Sequence, residues 1–216
     1  MKKLFLTLAV AAVSMFSFAQ ESAADFKNAG NTELKAKNLK GALENYEKAI
    51  AAFQAEGDEA LAAEMATVYN AADCARKLNK GERAIELYTM CENAGYKADF
   101  SSYYIAKSME KMEGKAEARK AQLEAAMAKY TEGKVATFIR KDLGKIVFDE
   151  GKSHYDKASE ILKEVASAKP EQYAEIQNRA KEEFKLALPL IEKAGEIDTT
   201  NKNVPVFVNA IKEQLK

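Results

Sequence analysis

Apolar residues recur at helical spacing along residues 30–50, where Leu34, Leu39, Leu43, Tyr46 and Ile50 form one face. Gly30, Ala42 and Ala49 are interleaved with them, small residues placed where two helices must come close. A turn at Lys37 and Asn38 divides the stretch into two helices, over residues 23–37 and 39–53. The arrangement returns 42 residues on (84 − 42 = 42): Ala72 stands for Gly30, Ala84 for Ala42, Ile85 for Leu43, Tyr88 for Tyr46 and Cys91 for Ala49. A second pair of helices is therefore expected over 59–78 and 81–93, ended by Gly95. A third covers 100–112 and 115–129, turning at Glu113 and Gly114. No segment alternates with period two, so no sheet is predicted.

From residue 135 the period lengthens. Leu143, Ile146, Val147, Tyr155, Ala158, Ile161, Leu162 and Val165 make a long stripe that continues to Ala168, interrupted by Gly144 and Gly151, one of which is expected to mark a bend. Lys169-Pro170 stops this helix, because the residue before proline is pushed out of helical geometry. A further stripe carries Tyr173, Ile176, Phe184, Leu188, Ile191 and Ala194. Pro189 either kinks that helix or lies in the first turn of a new one after a turn near Leu186. Residues 198–201 break the pattern again, and 204–215 form a last amphipathic helix.

A small residue in the first helix set against a small-x-x-x-aromatic-x-x-small run in the second resembles the tetratricopeptide-repeat family, and Gly30, Ala42, Tyr46 and Ala49 match that pattern directly. Leu123 and Ala126 fall 35 residues after Tyr88 and Cys91 (123 − 88 = 35), although this register puts Arg119 where a small residue is expected. The family's unit is about 34 residues, so the longer first interval requires extra helical turns around Gly57 or a longer connection there. The resemblance implies an all-α fold, a right-handed α-solenoid of helical hairpins with longer C-terminal helices and a capping helix. Successive hairpins bury each other's apolar faces in such a stack. Clear repeats are expected over 23–55 and 59–94 and degenerate ones over 99–216, within a single domain spanning 20–216.

In this family the first helices of the repeats line a concave groove that takes a peptide or a partner's helix. Carried over position by position, the groove would hold Lys27, Asn31, Leu34 and Lys35 from the first repeat and Tyr69, Asn70, Asp73, Arg76 and Lys77 from the second. The third would add Tyr104, Ser108, Lys111 and Met112. Lys27, Asn31 and Asn70 coincide with three positions of the clamp by which some relatives hold a C-terminal carboxylate, but Ser101 and Ile105 stand where its other two cations belong. Of the adjacent Tyr103 and Tyr104, which point about 100° apart on a helix, one is expected to pack and the other to reach the groove.

Composition narrows the chemistry. The 216 residues are 47% hydrophobic and 31% charged, with three prolines and no tryptophan, a mixture that favours helix. Formal charge is zero, which gives no electrostatic footprint for nucleic acid. Met1-Lys2-Lys3, an apolar run and the small-residue segment up to Ala19 have the three regions of a secretory signal peptide over residues 1–19, cut after Ala19. Its apolar part is too short for a comfortable membrane span. Export to the periplasm or exterior of a bacterial cell would leave 31 basic groups (33 − 2 = 31) against 33 acidic ones. It would also place Cys74 and Cys91 where a disulfide could persist. They are read either as buried thiols, Cys91 taking a small packing position, or as a bridge.

His154 is the one histidine, which leaves no histidine-rich metal site and no triad partner; a surface or semi-buried place on its helix is expected. No nucleophile-and-base pair or phosphate loop is evident, and no cofactor is expected. The expected function is a non-enzymatic adaptor or scaffold in the cell envelope that binds another protein or peptide in its groove. The alternative is a structural protein, a homo-oligomer joined through the long helices over 135–197.

Overall fold

In the computed structural model, which describes residues 21–216, the Ser22 side chain accepts a hydrogen bond from the Asp25 amide while Asp25 reaches back to the Ser22 amide. This reciprocal cap satisfies two free donors and starts helix α1, Ala23–Lys35. The expected signal peptide, residues 1–19, lies outside the described residues. Helix α2 follows as Leu39–Glu56, then α3 as Asp58–Ala63, α4 as Met65–Lys77 and α5 as Gly81–Asn93. The remaining helices are α6 (Ala98–Met109), α7 (Ala116–Lys129), α8 (Gly133–Lys163), α9 (Tyr173–Ile197) and α10 (Asn203–Leu215). No strand occurs among the described residues.

The 42-residue repeat is visible in the backbone as well as in the side chains. Lys37 and Asn79 both take left-handed conformations, at φ 61° and 57°, just after α1 and α4. The Asn38 amide then bonds the Glu33 carbonyl and the Lys80 amide bonds the Ala75 carbonyl, so both helices end on the same reversed turn. The left-handed turn at Lys37 stops α1 at Lys35, two residues short of the predicted end. After α5 the same device uses Gly95, at φ 73°, with the Tyr96 amide on the Cys91 carbonyl.

Tyr46 and Tyr88 are fully buried at equivalent positions of α2 and α5. The Tyr46 ring packs against Gly30, where an added Cβ would stand 2.6 Å from two ring carbons. Its hydroxyl donates to Asn31 at 2.9 Å, and the Tyr88 hydroxyl reaches Asp73, the residue equivalent to Asn31, at 3.4 Å. Ala42, Ala49, Ala72, Ala84 and Cys91 are buried around these rings. Burying a side chain of valine to phenylalanine size contributes roughly 1.5–3 kcal/mol.

The long first interval is accounted for by α3. Where one helix was expected over 59–78, the chain forms α3, breaks at Glu64 and resumes as α4. The Glu64 carboxylate accepts from Lys27 Nζ at 2.8 Å and from the Thr67 hydroxyl at 3.0 Å, which fixes this corner against α1.

In the third hairpin, α6 ends at Met109 rather than Met112. Leu123 and Ala126 are buried as the register required, and Ala106 is a buried small residue of α6, 34 residues after Ala72 (106 − 72 = 34). Arg119 is half-buried where the pattern wanted a small side chain. It pairs with Glu110 at 3.0 Å and lies 3.5 Å from Asp142, joining α7 to α8. The apolar core divides at α6: Ile105 belongs to the cluster built by α2, α4 and α5, and its neighbour Ala106 to the cluster that runs to α10.

Helix α8 runs unbroken for 31 residues, so neither Gly144 nor Gly151 ends it. Both are buried and face α9, where an added Cβ at Gly151 would stand 2.6 Å from Ile191 Cγ1 and one at Gly144 would stand 2.7 Å from Asp198 Cβ. They read as breakers in isolation but act as contact points between two helices. The α-helix ends at Lys163, followed by a tighter turn over Glu164–Ser167, and Pro170 opens a second such turn. Helix α9 is continuous through Pro189, which rules out a turn near Leu186. Lys185 and Pro189 are both exposed, so the carbonyl that loses its donor stands on the solvent side.

The extra length of α8 and α9 is taken up by each other. Gly144 meets Asp198 at one end of the pair, and Arg179 reaches Glu164 at 2.9 Å at the other. Phe207 of α10 packs edge-on against Phe148 and Tyr155, at 5.3 and 4.8 Å between ring centres, and Ile211 is fully buried. Helix α10 thereby covers the end of the stack. No helix among the described residues is long and apolar enough to cross a membrane.

Gly151→Ala is expected to destabilise the fold by about 1–3 kcal/mol through overpacking against Ile191, although alanine is the better helix former. Thermal unfolding followed by circular dichroism should show a lowered midpoint, while Ser153→Ala on the exposed face does not lower it.

Candidate functional site

Tyrosines and phenylalanines of α4, α5, the turn before α6, α6 and α8 form a continuous row. Ring centres follow one another from Tyr96 to Tyr69 at 6.0 Å, to Tyr88 at 5.5 Å, to Tyr104 at 5.5 Å, to Tyr103 at 5.4 Å and to Phe138 at 5.8 Å. Tyr88 is the buried floor, and the other five are half-buried. Phe100 joins from one side, 6.2 Å from Tyr104. Cations lie over this row: Lys97 is 4.5 Å from the Tyr69 ring centre, Arg76 is 4.6 Å from that of Tyr104, and Lys134 is 5.6 Å from that of Phe138. Such contacts favour a guanidinium or ammonium on the negative face of the ring.

Arg76 anchors the centre. Its Nε donates to the Tyr88 hydroxyl at 3.3 Å and its terminal nitrogen pairs with Asp73, while Lys77 reaches the other Asp73 oxygen at 2.6 Å. Burial alone would raise the Asp73 carboxyl, but the bonds from Lys77 and Arg76 outweigh it and hold it below the ordinary aspartate range. Desolvation works against the Arg76 charge, and the bonds to Tyr88 and Asp73 more than restore it. Burial pushes the Tyr69, Tyr88 and Tyr103 hydroxyls up, so all three stay protonated at neutral pH.

The sequence-predicted residues separate into two groups. Tyr69, Asp73, Arg76, Lys77 and Tyr104 converge on the ring row, and Arg76 and Lys77 also line, with Ser108, Lys111 and Met112, a hollow of about 320 Å³ at its edge. The first-repeat residues are engaged elsewhere. Lys27 is paired with Glu64 and Asn31 accepts from Tyr46, while Asn70 of the second repeat is half-buried on α4. Leu34 packs against the core and Lys35 is exposed on the surface of α1. At the two clamp positions that lack cations, Ser101 and Ile105 are buried, with the Ser101 hydroxyl donating to the Tyr96 carbonyl.

Tyr103 and Tyr104 do not divide between core and groove. Both are half-buried members of the row, and Tyr103 donates to Asp142 at 3.3 Å. Tyr96, Lys97, Phe138, Asn79 and Lys107 were not anticipated. The spacing of Tyr96, Phe100 and Tyr104 at every fourth residue was the signal available for the first of them.

Cys74 and Cys91 are buried free thiols, and Cys91 Sγ lies 3.7 Å from the Met65 carbonyl. Burial pushes the Cys91 thiol up to about 12. His154 lies partly exposed on α8, 2.8 Å from Glu183. Among the described residues no group of three or more His, Cys, Asp or Glu side chains could hold a metal ion.

The fold is that of a tetratricopeptide-repeat protein, an all-helical stack of hairpins. A TPR repeats protein from Bacteroides fragilis superimposes with a TM-score of 0.51 at 17% identity, over 90% of this chain and 99% of that one. YrrB, described as a TPR protein with an unusual peptide-binding site, aligns with a TM-score of 0.45 at 18% identity, over 89% of this chain and 93% of that one. No family model matches the sequence, and no curated protein matches it.

Two outcomes are expected. A thiol reagent at pH 8 labels neither cysteine in the folded protein within minutes and both in denaturant, because folded Cys91 holds almost no thiolate there. The Asp73 contribution to stability is fully present above the ordinary aspartate value of 3.8 and is lost as pH falls through its lower folded value. Urea unfolding of wild type and Asp73→Asn should therefore differ at pH 7 and converge as the pH falls below the folded Asp73 value.

Proposed function

We propose that this chain is a non-enzymatic adaptor that holds an extended peptide or helix of a partner protein against the ring row of α4, α6 and α8. The observation that carries this is the row itself: half-buried rings from the successive first helices α4, α6 and α8, joined by Tyr96 from the turn before α6, with cations over Tyr69, Tyr104 and Phe138. Half-buried tyrosines offer apolar area at small conformational cost and keep a hydroxyl for the partner's backbone. The rings are fixed by Asp73, Arg76 and Asp142, so little ordering is left for the binding step.

The setting we propose is the bacterial cell envelope or the exterior. Support comes from the charged start at Lys2 and Lys3, the apolar run behind it and the small residues up to Ala19. Mass spectrometry of the protein from envelope fractions should find a chain that begins at Gln20. A chain retaining Met1 would contradict export by cleavage.

The groove is tested by placing a photo-crosslinking residue at Tyr104 or at Leu186 on the far side of α9 and comparing adducts from envelope extract. Adducts are expected at the first position and not the second. Alanine at both Tyr69 and Tyr96 should abolish them, whereas Lys35→Ala on α1 should not. Equal adducts at the two positions would contradict the groove.

A further inference from the structure

The hollow at the edge of the ring row carries a surplus of positive charge that the groove alone does not require. Arg76, Lys77, Lys107 and Lys111 line it, against one lining carboxylate, Glu110. Asp73 pairs with Arg76 and Lys77, and Asp142 lies 3.2 Å from Lys107. Glu110 and Asp142 are both shared with Arg119, so five cations stand against three carboxylates. The chain as a whole is formally neutral, so this is a local excess.

Helix ends account for part of the set. Arg76 and Lys77 occupy the last turn of α4 and Lys107 that of α6, where the carbonyl end of a helix attracts cations. Lys111 is different. It stands beyond α6, exposed, and its ammonium meets no carboxylate within ion-pair distance among the described residues, only the Asn79 side-chain oxygen at 3.3 Å. That bond turns the Asn79 amide donors away from Lys111. Ammonium, amide and guanidinium donors around about 320 Å³ match the acceptor geometry of a carboxylate.

We propose that this hollow is a subsite for the acidic side chains of an extended segment, so that the partner of the groove carries Glu or Asp beside the residues lying on the rings. The proposal rests on the groove reading above. It is distinct from the clamp positions at Lys27, Asn31 and Asn70, which lie on α1 and on the face of α4 toward Tyr46. Arg76 links the two parts, since it lies over Tyr104 and lines the hollow. A peptide crossing the rings would bring its next side chains there.

Fluorescence anisotropy of the purified protein tests this with three short labelled probes. One is a Glu-Ala repeat peptide amidated at its C-terminus, one is its Gln-Ala counterpart, also amidated, and one is the Gln-Ala peptide with a free carboxylate. The amidated Glu peptide is expected to bind about tenfold or more tightly than the amidated Gln peptide, with an affinity that falls as salt rises. Lys111→Glu, at an exposed position, should cost the Glu peptide about tenfold and leave the Gln peptide unchanged.

Equal affinity for the two amidated peptides, unmoved by Lys111→Glu, overturns the subsite. If Tyr104→Ala then weakens both, the groove still stands. Tighter binding of the free-carboxylate Gln peptide than of the amidated Glu peptide assigns the hollow to a chain terminus and overturns the side-chain form. Binding of none of the probes also overturns it, and the crosslinking experiment judges the groove separately.

Discussion

The contact between Gly30 and the Tyr46 ring sets how near α1 and α2 can lie, and the rest of the stack is built on that spacing. A tyrosine ring placed on a residue without a side chain brings two backbones close enough for Ala42 and Ala49 to be buried beside it. The second hairpin sets Ala72 at the position equivalent to Gly30, buried in the same core cluster as Tyr88. Each hairpin alone leaves an apolar face open, and the face of one is covered by the next. That is why the core runs as a strip through α2, α4 and α5 to α6 and then continues to α10.

The same rings connect stability to function. Tyr88 is wholly buried, yet its hydroxyl holds Arg76 and Asp73 at the groove, so a core residue fixes the orientation of a surface guanidinium. Asn31 meets Tyr46 at the equivalent place and carries no charge, so nothing like the Arg76 arrangement arises in the first repeat. The row of rings therefore belongs to the second and third repeats and to α8, where helices of three hairpins converge. Arg119 extends the link by tying α7 to the turn after α6 and to α8.

Much of this was legible in the sequence, because small and aromatic residues at fixed offsets specify helix approach directly. Tyr46 and Tyr88, Ala42 and Ala84, and the reversed turn near Lys37 could all be placed from spacing. Gly144 and Gly151 could not, since a glycine within a helical stripe reads as a break until its partner helix is known, and their partners Asp198 and Ile191 lie far along the chain. Lys27 and Asn31 were placed on the correct helix, but their intramolecular bonds to Glu64 and Tyr46 are tertiary contacts that no local pattern encodes. Lys97 and Phe138 were missed for a related reason: the row they complete crosses helices, and its order exists only after packing.

A double-mutant cycle between Gly30 and Tyr46, read by urea unfolding, tests the helix-spacing account most directly. Glycine to alanine inside a helix ordinarily stabilises by about 0.5–1 kcal/mol. Here Gly30→Ala should destabilise wild type, because its Cβ meets the ring at 2.6 Å, and should stabilise the Tyr46→Ala background in which the ring is gone. A Gly30→Ala effect of the same sign and size in both backgrounds would contradict the account.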